Sequence, residues 1–87
     1  MGAPGAAPSI IKCAGRVKPV KHSLTLRGHR TSVTLEAPFW EAFRQLATRE
    51  GLSLNSLAAE LDAARDPEVG LASTIRVYVL EALQSGR

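Results

Sequence analysis

Acidic residues are missing from the first third of this chain. Residues 1–30 carry Lys12, Arg16, Lys18, Lys21, Arg27 and Arg30 with no Asp or Glu, whereas residues 31–87 hold five Arg against all eight acids. The modest net charge of +3 therefore conceals a basic arm on a mildly acidic body, the asymmetry either of a molecule that approaches a polyanion from one side or of one with a solubilising tail. Cysteine is nearly absent. Cys13 stands alone, which excludes an intrachain disulfide and a cysteine-rich zinc site and fits a reducing compartment. No apolar run approaches membrane-spanning length, and the first residues show neither a basic-then-apolar leader nor a myristoylation pattern, so a soluble cytoplasmic protein without a membrane partner is expected. Aromatics make up only 5% of the chain, and three of the four, Phe39, Trp40 and Phe43, fall within five positions. They are the expected core anchors.

What is present fits one small domain. Residues 1–20 are rich in Gly, Ala and Pro and read as a disordered basic arm, leaving residues 21–87 to fold. About 60 residues make a core of marginal size, one that association often completes. Arg30-Thr31-Ser32-Val33-Thr34-Leu35 alternates, with Arg30, Ser32 and Thr34 on one side and Thr31, Val33 and Leu35 on the other, the pattern of a half-buried strand. A strand this short needs a partner for its unpaired backbone groups. Two candidates remain: residues 22–27, joined through a Gly28-His29 turn compatible with type II′, or the same strand of a second chain. In the first case Leu24 and Leu26 share a face.

Three helices follow. The first is predicted over 38–50, with Pro38 in its first turn, Phe39, Trp40, Phe43, Leu46 and Ala47 in its stripe, and Gly51 as a left-handed terminator. The second is predicted over 54–64, capped by Ser53, with Leu54, Leu57, Ala58 and Leu61 inward and Asp66-Pro67 closing it. The third is predicted over 73–84, with an apolar stripe broad enough to imply burial on more than one side.

The order strand, helix, Gly-Leu-Ser turn, helix, with Thr31-Ser32-Val33-Thr34-Leu35, Phe39-Trp40-Glu41-Ala42-Phe43 and Gly51-Leu52-Ser53-Leu54-Asn55-Ser56-Leu57, resembles the ribbon-helix-helix family of small DNA-binding regulators. Lys21-His22-Ser23, Gly28-His29-Arg30-Thr31-Ser32 and Leu71-Ala72-Ser73-Thr74-Ile75-Arg76-Val77 are similar to a narrower subgroup with a third helix. The resemblance spans residues 20–84. It implies a mainly α fold with short β, assembled as an intertwined homodimer or a higher oligomer whose antiparallel two-stranded ribbon enters the major groove of duplex DNA. Carried onto this chain, it sets Arg30, Ser32 and Thr34 toward bases. Val33, Leu35, Phe39, Trp40, Phe43, Leu57 and Leu61 then form the dimer core. Ser53, Asn55 and Ser56 hold a phosphate at a helix N-terminus. An alternative assigns that role to Ser73, Thr74 and Arg76. Lys18, Lys21 and Arg27 of the basic stretch are expected on flanking phosphates, where they add salt-sensitive affinity.

Catalysis is not expected. Glu60 and Asp62 form no acid/base pair with a nucleophile, and Arg76 is assigned an ion pair with one of them. His22, His29 and Cys13 match no metal-ligand spacing, so no metal or cofactor is called for, and the histidines are assigned polar contacts with backbone or phosphate. The expected function is sequence-specific DNA binding in transcriptional regulation. The alternative is a homo-oligomeric protein-interaction module that does not bind DNA.

Overall fold

The computed structural model describes residues 17–85. Two strands, β1 (Pro19–Leu26) and β2 (His29–Glu36), form an antiparallel hairpin, followed by helices α1 (Ala37–Arg49), α2 (Leu54–Ala64) and α3 (Leu71–Gln84). The strand at 30–35 thus pairs with the segment just before it, and both strands of the ribbon come from one chain. β1 begins at Pro19, slightly before the expected boundary at 21, while residues 1–16 of the expected arm, Cys13 included, lie outside the described residues.

The turn is Arg27-Gly28, not Gly28-His29. Both residues have positive φ, 52° and 85°, which places the turn in the I′ class rather than II′. Type I′ matches the right-handed twist of the strands, and the second central position goes to the residue without a Cβ. The observed register, Leu26 opposite His29, differs by two positions from the one expected, Arg27 opposite Arg30. Strand periodicity is two, so this shift leaves every side chain on its expected face.

Leu24, Leu26, Val33 and Leu35 form the inner face of the hairpin and are buried. α2 packs along β1, while α1 and α3 pack against β2. Phe43, Leu46 and Ala47 of α1, Leu57, Ala58 and Ala59 of α2, and Ile75 and Val79 of α3 complete the core. Burial of each large apolar side chain contributes about 1.5–3 kcal/mol. Phe43 sits at the centre, fully buried, with Tyr78 edge-on at 6.4 Å and Trp40 tilted at 6.2 Å. Of the residues expected in a dimer core, Val33, Leu35, Phe43 and Leu57 are covered within one chain, and Phe39, Trp40 and Leu61 pack against that core half-buried.

The helix ends follow local chemistry. Gly51, at φ 73°, lets Leu52 N–H donate to the Ala47 carbonyl and Gly51 N–H to the Thr48 carbonyl, a Schellman ending. α3 starts two residues earlier than expected, after Gly70, because Leu71 and Ala72 pack against the core.

Candidate nucleic-acid interface

A two-residue hairpin loop fixes the parity of both strands. One set of cross-strand pairs points into the helices; the other, Lys21–Thr34, Ser23–Ser32 and Thr25–Arg30, points to solvent. All six of these side chains are exposed. Facing pairs in such a ladder sit about 4.5–5.5 Å apart between Cβ atoms, so four hydroxyls form a compact patch with a cation at each end. Arg30, Ser32 and Thr34 are together on this face, as the alternation required. Ser23 and Thr25 belong to it as well. Their own alternation with Leu24 and Leu26 was the signal, and it becomes decisive only once β1 is known to pair with β2. Lys21, expected on a flanking arm, is part of the same face, and Lys18 is exposed just before β1. Arg27 projects from the turn.

The second element is the start of α2. Ser53 is the N-cap: its Oγ accepts from Ser56 N–H at 3.0 Å and donates to Ser56 Oγ at 2.9 Å. Asn55 does something the sequence did not indicate. Its Oδ1 accepts from the Thr25 backbone N–H at 3.1 Å, which covers a donor on the outer edge of β1 and ties α2 to the ribbon. Leu54 and Asn55 N–H, in the first turn, have no intrahelical acceptor and lie at the positive end of the helix. A shallow depression of about 330 Å³, lined by Thr25, Arg27, Asn55, Ser56, Ala59 and Glu60, joins this helix start to the ribbon.

The start of α3 is arranged differently. Thr74 Oγ1 donates to the Gly70 carbonyl. Arg76 donates through Nε and Nη2 to Glu36 Oε1 at 3.1 and 2.9 Å. This corrects the expected pairing with Glu60 or Asp62. Asp62 accepts from Arg65 Nε at 2.8 Å, three residues along, whereas Glu36 ends β2 directly beside α3. The guanidinium also lies over Phe39, 5.7 Å from the ring centre. Hydrogen bonding to its own backbone amide and then to Arg76 holds the Glu36 carboxyl below the usual carboxylate range. Arg76 thereby joins the end of β2, the start of α1 and the side of α3.

His22 stacks on Trp40 at 3.9 Å with the rings 5° from parallel, and its Nε2 is buried without a hydrogen-bond partner. Its contact is with an aromatic ring, not the polar one expected. His29 is exposed at the start of β2. No group of three metal-ligating side chains occurs among the described residues, and none of the described helices is long and apolar enough to cross a membrane.

A two-stranded hairpin followed by a helix, a capped turn and a second helix packed against it is the element order of a ribbon-helix-helix fold. The family model for the ribbon-helix-helix domain matches residues 19–83, and the chain belongs to that family. Its members generally bind DNA as transcription regulators. Neither the curated proteins nor the solved structures gave a match.

Proposed function

We propose that this protein binds duplex DNA sequence-specifically as a transcriptional regulator, with the outer face of the hairpin in the major groove. The observation that carries this reading is the composition of that face. Six exposed polar side chains, Lys21, Ser23, Thr25, Arg30, Ser32 and Thr34, include two cations and no acid, and the one acid of the same parity, Glu36 at the end of β2, is half-buried and paired with Arg76. Two strands about 4.8 Å apart fit a groove about 12 Å wide. Arg30 suits the O6 and N7 of guanine, and the hydroxyls suit several base edges. Lys18, Lys21 and Arg27 serve the phosphates beside the groove. The free N–H groups at the start of α2, with Ser53 and Ser56, serve a further phosphate, and Asn55 fixes the spacing between that phosphate and the ribbon. Two chains related by a two-fold axis would present two such ribbons to a palindromic site.

The test is a salt titration of binding to random-sequence duplex, followed by selection of a preferred site. Three phosphate-contacting cations per chain predict a slope of log K against log salt of about −3 per chain. Substituting Arg30 or Thr34 should alter base preference, whereas substituting Lys18 should weaken all duplexes alike. A folded protein that binds no duplex at low salt would overturn the reading. It would favour the alternative, a homo-oligomeric interaction module, to which the exposed apolar side chains of α3 lend support.

A further inference from the structure

Residues 18–26 and 27–35 are consecutive runs of nine, and the second repeats the first. Lys18-Pro19-Val20-Lys21-His22-Ser23-Leu24-Thr25-Leu26 is followed by Arg27-Gly28-His29-Arg30-Thr31-Ser32-Val33-Thr34-Leu35. A cation recurs at the first and fourth places, Ser at the sixth, a branched aliphatic at the seventh, Thr at the eighth and Leu at the ninth. Alternation within a strand asks only for polar against apolar. It does not ask for the same residue at the same step. Antiparallel pairing converts such a tandem repeat into a local two-fold axis, and the register sets where that axis falls. Here it passes through the Ser23–Ser32 pair, the middle of the outward face. About it Lys21 corresponds to Arg30, Thr25 to Thr34 and Lys18 to Arg27, all of them exposed.

The symmetry is a property of the outer face. Beneath the ribbon the surroundings of the two strands differ, with α2 along β1 and α1 and α3 against β2. The inward residues differ with them. His22, stacked on Trp40, corresponds to exposed Thr31, and Leu24 corresponds to Val33; Leu26 and Leu35 alone are the same. Packing therefore gives the outward residues no reason to repeat. A ligand with its own two-fold symmetry does, and a palindromic step of duplex DNA has one.

We infer that one chain is a complete reading unit: its hairpin recognises a short near-palindrome, with Arg30 on a guanine of one DNA strand and Lys21 on a guanine of the other. This rests on the DNA binding proposed above and gives it a target class and a second base-reading cation. Lys21 stands opposite Thr34, four residues along β2 from Arg30, which sets the two backbones about 14 Å apart. That distance is about four base steps of roughly 3.4 Å. Arg and Lys both suit the O6 and N7 of guanine, and the three donors of the Lys21 ammonium leave it able to hold a neighbouring phosphate as well. The two ends are not equal. A guanidinium grips both acceptors at fixed geometry, whereas an ammonium is a point charge. The guanine under Arg30 is therefore read strictly and the one under Lys21 loosely. Each cation has a Thr beside it, Thr25 with Arg30 and Thr34 with Lys21, and Ser23 and Ser32 lie over the central step. Lys18 and Arg27 then hold phosphates at opposite ends of the ribbon.

The experiment is selection of preferred sites from a random-sequence duplex library by the full chain, beside Arg30→Ala, Lys21→Ala and Lys21→Arg. Both positions are exposed, so the variants should keep the wild-type circular dichroism spectrum. The wild type should select a short inverted repeat, strict on one side and looser on the other. Arg30→Ala should lose about tenfold in discrimination at the strict position and leave its mirror position alone; Lys21→Ala should do the reverse. Lys21→Arg should make the two sides equally strict. A selected core with no inverted repeat would overturn the inference. So would Lys21→Ala weakening every duplex alike with the preferred sequence unchanged, which leaves DNA binding intact and Lys21 on phosphate alone. So would Arg30→Ala relaxing both sides of the core at once, the mark of a ribbon built from the same strand of two chains. A folded chain that binds no duplex at low salt would overturn the DNA-binding reading and this one together.

Discussion

Asn55 Oδ1 accepts a hydrogen bond from the Thr25 backbone N–H at 3.1 Å, across thirty residues of sequence. In an antiparallel hairpin closed by a two-residue loop, Thr25 is one of the β1 residues whose backbone groups point away from β2. Asn55 therefore covers a donor on an open sheet edge and fixes where α2 begins relative to the ribbon. Asn55→Ala should cost about 1 kcal/mol in denaturant unfolding, the usual net worth of one such bond. If the proposed DNA binding holds, it should also weaken binding to a specific duplex more than to a random one, because the proposed base and phosphate contacts lose their common register. Equal loss on both duplexes would reduce Asn55 to an edge cover.

The turn gives a second prediction. Gly28 has φ 85°, and a Cβ built there meets nothing within 4 Å. Any penalty for a side chain at this position is then conformational rather than steric. Gly28→Val should destabilise by about 1–2 kcal/mol, as expected of a β-branched residue forced into the left-handed region. Arg27, at φ 52°, already tolerates that region, and Arg27→Asn should be neutral or slightly stabilising while removing the cation we propose for a phosphate. Chemical denaturation of the two variants checks this.

Phe43 tests the core. It is fully buried between Tyr78 and Trp40. Phe43→Ala should cost about 3–5 kcal/mol. A domain of this size has only about 3–10 kcal/mol in total, so the variant should be largely unfolded near 37 °C. Thermal melting followed by circular dichroism gives the answer.

The Glu36–Arg76 pair predicts a dependence on pH. The Glu36 carboxyl titrates below its ordinary range, chiefly through its own backbone amide and secondly through Arg76. A lowered folded-state value means the unfolded chain binds the proton more readily. The stabilisation is therefore complete above the ordinary carboxylate range and is lost as pH falls through the depressed folded value. Denaturation midpoints should drop between neutral pH and pH 3, and Glu36→Gln should flatten part of that drop. Because the pair is partly solvated, the effect should be small and should shrink with added salt.

Much of the fold was legible in the sequence because its rules are local. Alternation at 30–35 assigned Arg30, Ser32 and Thr34 to one face and Val33 and Leu35 to the other, and a pairing shift of two positions left those faces intact. Ser53 as a cap, Gly51 as a left-handed terminator and the inward stripes of α1 and α2 follow from spacing over one or two turns. The sequence by itself thus determined the strand at 30–35, the existence of the three helices and which side of each is apolar, but it left open whether the segment before Gly28 is a strand. Only the tertiary structure decided which strand pairs with which, that Arg76 meets Glu36 forty residues away, that Asn55 caps the edge of β1 and that His22 lies flat on Trp40. These contacts join elements far apart in sequence. Their partners are chosen by how three amphipathic helices and a hairpin bury their apolar sides together, and no periodicity within a single element encodes that choice.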